Sequence, residues 1–115
     1  DMDQLDDNLA AMRVPFSGSD EKLLTAQLDF IKDKYCRMCG ACSGTCAKGL
    51  PVSDMIRYLT YVEGYGQFSL GRDNFLAQPA AVRSVRCADC TECSVKCRNG
   101  LQVAERLVRV QELFA

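Results

Sequence analysis

The sequence predicts an all-α domain in which two pseudo-symmetric cysteine loops each feed an amphipathic helix. Three observations carry that prediction. Cys36, Cys39, Cys42 and Cys46 are spaced C-x2-C-x2-C-x3-C, and the same spacing returns at Cys87, Cys90, Cys93 and Cys97, which uses all eight cysteines of the chain. The repeat extends past the sulfurs, because Ser43 matches Ser94, Gly49 matches Gly100, Leu50 matches Leu101 and Val52 matches Val103 at the same constant offset. Two copies of one unit are implied. Between and after the loops, apolar residues recur at three and four positions, the helical period, and not at two.

Taken in order, residues 1–18 read as an N-terminal helical segment and linker, with Met2, Leu5, Leu9 and Met12 as a short apolar stripe that Pro15 and Gly18 bring to an end. The main domain is expected over 19–115. Ser17 or Ser19 can cap its first helix, with Asp20 and Glu21 favourably placed in the opening turn. Leu24, Leu28, Ile31 and Tyr35 then form one face that runs into Cys36, and the expected task of this helix is to cover one side of the first cysteine site. In the loop that follows, Gly40, Gly44 and Gly49 allow tight turns about a bound group. Arg37, Lys48 and Lys96 stand beside cysteines, either as solvated charge or as contacts for an acidic partner.

Pro51 suits a helix start, with Ser53 as an alternative cap, and Val52, Met55, Ile56, Leu59 and Val62 form the buried face up to Gly64 and Gly66. Tyr58, Tyr61 and Tyr65 border that face. Phe68, Leu70, Phe75 and Leu76 look buried around a short helix near Asp73, and Pro79 can start another that delivers the chain to Cys87. These inserted helices favour an all-α scaffold over a β-α-β arrangement. After Gly100, Val103, Leu107, Val110 and Phe114 form the face of a last helix that mirrors the one after Cys46.

Four closely spaced cysteines can be disulfides, zinc sites or iron–sulfur sites. Disulfides between such near neighbours would close small loops with slight entropic benefit, whereas the duplicated run is that of two-cluster bacterial ferredoxins. The spacing therefore leads to an expectation of two [4Fe-4S] clusters. In that arrangement the fourth cysteine of each run crosses over, so Cys36, Cys39, Cys42 and Cys97 hold one cluster and Cys87, Cys90, Cys93 and Cys46 the other. No catalytic residue is expected, since the cysteines are consumed as ligands and the chain has no His.

At 115 residues the chain has room for one modest core. Its charge is close to balanced, 14 Lys plus Arg against 15 Asp plus Glu, and the arginines are interleaved with acids, which argues against a nucleic-acid partner. No run is long and apolar enough to span a bilayer, no signal peptide is evident, and reduced thiols fit the cytoplasm.

The stretch from Tyr35 through Cys36, Cys39, Cys42 and Cys46 to Leu50, then Glu63-Gly-Tyr-Gly and the second cysteine run before a terminal helix, resembles the ferredoxin-type C-terminal domain of bacterial aldo/keto reductase family proteins. It is similar more generally to helical ferredoxins. The resemblance implies electron transfer through two [4Fe-4S] clusters to or from a redox protein partner or an aldo/keto reductase-like domain, as an oxidoreductase subunit that is not catalytic alone. Ala47 and Arg98 stand where such relatives commonly have Pro, which frees φ and adds a backbone donor. The competing class is a structural or redox-sensing interaction module held together by metal.

Overall fold

Helix formation follows the apolar periodicity in a computed structural model that describes residues 1–114. Six helices follow in order, α1 (Met2–Ala11), α2 (Gly18–Ile31), α3 (Val52–Glu63), α4 (Phe68–Leu76), α5 (Ala80–Arg83) and α6 (Val103–Phe114), and no strand occurs among the described residues. The all-α expectation therefore stands. The chain divides into two compact units, Asp1–Ile31 and Lys32–Ala115.

In the first unit, Asp1 caps α1 through a reciprocal pair in which its carboxylate accepts from the Gln4 N–H while the Gln4 side chain accepts from the Asp1 amino group. Ser17 starts α2 by accepting from the Asp20 N–H, and its own N–H and hydroxyl donate to the Asp20 carboxylate, which lowers that group's pKa. Neither helix buries a residue. The face of Leu24 and Leu28, expected to cover the first cysteine site, is about half exposed at 53% and 54%, and α2 ends at Ile31, before the cysteines begin. Capping and local propensity hold these helices, with no core of their own.

The second unit has that core. Val52, Met55, Ile56 and Leu59 of α3 are buried against Val103, Leu107 and Val110 of α6, and α4 closes the group through Phe75. Each fully buried side chain of this size contributes about 1.5–3 kcal/mol relative to exposure. The buried positions recur at the repeat offset, since Leu50, Val52, Ile56 and Leu59 correspond to Leu101, Val103, Leu107 and Val110. Phe114 joins the layers, with its ring centroid 5.5 Å from that of Phe75 and 5.7 Å from that of Phe68. Tyr58 is buried and accepts a hydrogen bond from Gln78 Nε2 at 2.7 Å, while Tyr65 is exposed.

Close helix approach depends on Gly71. A Cβ at that position would lie 2.7 Å from Tyr58 O, 2.9 Å from Val62 Cγ2 and 3.0 Å from Phe114 Cζ, so α4 can pack this tightly only with glycine there. Phe68, Leu70 and Leu76, expected inside, are partly exposed, because α4 is short and turns only Gly71 and Phe75 fully inward. Pro51 precedes α3 without a side-chain cap, and Ser53 makes no cap bond, its hydroxyl meeting Ser43 Oγ at 3.1 Å.

Candidate functional site

The two cysteine runs lie in the loops before α3 and before α6, and each loop ends in the same turn. Gly49 N–H donates to Cys46 O at 3.0 Å and Gly100 N–H to Cys97 O at 3.2 Å, with φ of 72° and 84° respectively. Only glycine takes these angles without strain, so the matched Cys-x-x-Gly spacing is a backbone requirement. Leu50 and Leu101 then plug into the core and fix where each loop meets its helix.

Hydrogen bonds also link the two runs. Asn99 donates its backbone N–H to Cys97 Sγ at 3.4 Å and its side-chain Nδ2 to Cys39 Sγ at 3.6 Å, which ties the last cysteine of the second run to the first run. Ala47 N–H donates to Ser94 Oγ at 3.3 Å, and that hydroxyl donates to Thr45 O at 3.2 Å. The backbone donor that a proline at 47 would lack is thus in use. Lys48 Nζ reaches Arg86 O at 3.4 Å.

The thiols gather in two cavities. Cys36, Cys39, Cys42 and Cys97 line one of about 150 Å3, floored by Ile56, Leu101 and Val103. Cys46, Cys87, Cys90 and Cys93 line a second of about 390 Å3, beside Val85 and Leu107. All eight are free thiols, and all but the exposed Cys39 are half-buried. Burial raises the pKa of Cys42, with Cys36, Cys39 and Cys97 adding to the effect. Burial likewise pushes Cys87 up to about 11, helped by Cys90, Cys46 and Cys93. Cys42 and Cys87 therefore resist ionisation, a thiolate there being disfavoured by lost hydration and by its neighbours' charge.

Sharing a cavity is a weaker condition than converging on one point. Among the described residues, no group of three or more His, Cys, Asp or Glu side chains is placed so that it could hold a metal ion. The expectation of two [4Fe-4S] clusters is corrected by this finding, because the thiols stand around cavity walls without forming a ligand set. The helical-ferredoxin fold assignment, electron transfer through iron–sulfur clusters and the oxidoreductase-subunit role rested on the same ligand geometry and are corrected with it. The resemblance to the ferredoxin-type domain of aldo/keto reductases loses its support in the same way.

Two further residues shape the site. Gln111 is buried at 6% exposure, accepts from Cys87 N–H at 2.9 Å and donates from Nε2 to Val85 O, clamping the start of the second run onto α6. Its signal in the sequence is a polar residue four positions after Leu107, on a face otherwise apolar. Asn99 has no such signal, being one polar residue among several in a loop. No helix among the described residues is long and apolar enough to cross a membrane. Comparison with known proteins adds no family: no family model, no curated protein and no solved structure matches this chain.

Proposed function

We propose that the chain is a thiol module in which the cysteines act as two sets of four, Cys36, Cys39, Cys42 and Cys97 in one and Cys46, Cys87, Cys90 and Cys93 in the other. The module docks on a redox protein partner through the loops that carry these sets, in the reducing conditions of the cytoplasm that keep thiols free. The observation that carries this reading is the division of the thiols between two cavities, each of which takes members from both runs.

The chemistry follows from crowding. Cys42 and Cys87, with their pKa values raised, are poor nucleophiles near neutral pH, which disfavours disulfide exchange at these two positions.

Iodoacetamide labelling of anaerobically purified protein, mapped by peptide, tests the proposal. Protection of the thiols in two groups of four is expected. Labelling of all eight cysteines at one rate would overturn it.

A further inference from the structure

The two thiol cavities have different walls. Arg37, Arg57, Lys96 and Arg98 line the first, and no acidic residue does. The second is lined by Lys48 together with Asp89 and Glu92. Within the first rim, Arg57 is paired with Asp54 at 3.1 Å, and Lys96 makes only a long, exposed contact with Glu92 at 3.8 Å. Arg37 and Arg98 are exposed and have no ion-pair partner among the described residues. Arg37 comes from the first cysteine loop and Arg98 from the second, so the fold concentrates positive charge at one mouth of a chain whose net charge is −1.

We infer that the mouth of the first cavity is the docking face for the partner, and that the partner meets it with an acidic protein surface. The inference rests on the proposed docking of the module on a protein, and it names which of the two cavities faces that protein and with what charge. Cations surrounding a concave opening focus field toward it, which steers an anionic surface to that mouth and orients it on arrival. The second cavity, with acids on its wall, gives no such attraction. Nucleic acid is the less fitting polyanion, because none of the residues lining this mouth is aromatic, so unpaired bases have no ring to stack on.

The test uses the full chain and a fluorescein-labelled hexaglutamate peptide as probe, read by anisotropy at low and at high salt. Binding is expected at low salt, with a loss of about tenfold or more in the Arg37→Gln/Arg98→Gln double variant and little change in Lys48→Gln, since close, exposed charge pairs act mainly through the local field. Equal binding by the double variant, tighter binding of a labelled dT12 oligonucleotide, or no hexaglutamate binding at all would overturn the inference. Iodoacetamide labelling of the same samples reports separately whether the thiols are protected in two groups of four, so a failure of docking is distinguishable from a failure of the thiol reading. The circular dichroism of the double variant is expected to match the parent, because both arginines are exposed.

Discussion

The two cysteine loops share their spacing, their terminal turn and their buried leucine, yet they are held differently. The first is tied down through Asn99, which reaches across from the second run to Cys39, and its mouth is basic. The second is anchored from beneath by a buried amide, Gln111 on α6, and its cavity is wider and mixed in charge. Duplication thus fixes the backbone and the core contacts, while single polar residues outside the repeated motif decide how each loop is gripped. Corresponding substitutions in the two halves give the comparison its sharpest form.

The largest effects belong to the shared core. Ile56 and Leu107 occupy matching positions, one flooring the first cavity and the other lining the second, so Ile56→Ala and Leu107→Ala should each cost about 2–5 kcal/mol in urea unfolding. A large inequality between them would show that one half of the core is much looser than the other. Gly71→Ala lies away from both cavities and should destabilise the second unit by about 1–3 kcal/mol through overpacking against α3 and α6, with thiol labelling rates at the two sites changed alike.

The polar clamp separates the halves. Gln111→Leu leaves the Cys87 N–H and Val85 O without their partner, at a cost of about 1–3 kcal/mol, and should speed labelling of Cys87 before that of Cys42. Equal acceleration at both would mean that the two loops move as one. A smaller effect is expected from pH. Cys87 has a folded-state pKa of about 11, raised above the unfolded thiol value of 9.0, so the stability it confers is complete below about pH 9 and is lost as pH rises toward 11. Denaturation midpoints across that range should fall, and Cys87→Ser should flatten the decline.

Helix positions were legible in the sequence wherever apolar residues recurred through the core, as in α3 and α6, because burial and periodicity agree there. The N-terminal helices show the limit. Leu24 and Leu28 carry a helical stripe, and α2 forms, but a stripe specifies only that a face is apolar and not that anything covers it. The same holds for Phe68 and Leu70 in α4. At the cysteines, spacing and matched glycines reveal the duplicated loops, since the turn demands glycine at Gly49 and Gly100. Spacing does not report how far thiols converge, and there the expectation of iron–sulfur ligation exceeded what the geometry supports. Gln111 acts through tertiary contacts to residues far along the chain, which periodicity registers only as an interruption.

The central claim, that thiols are grouped by cavity and not by sequence run, is tested most directly by labelling kinetics in Cys97→Ser. Cys97 lies in the second run but lines the cavity of Cys36, Cys39 and Cys42. Its replacement should accelerate iodoacetamide labelling of those three cysteines severalfold while Cys46, Cys87, Cys90 and Cys93 keep their parental rates. Acceleration confined to Cys87, Cys90 and Cys93 would contradict the account.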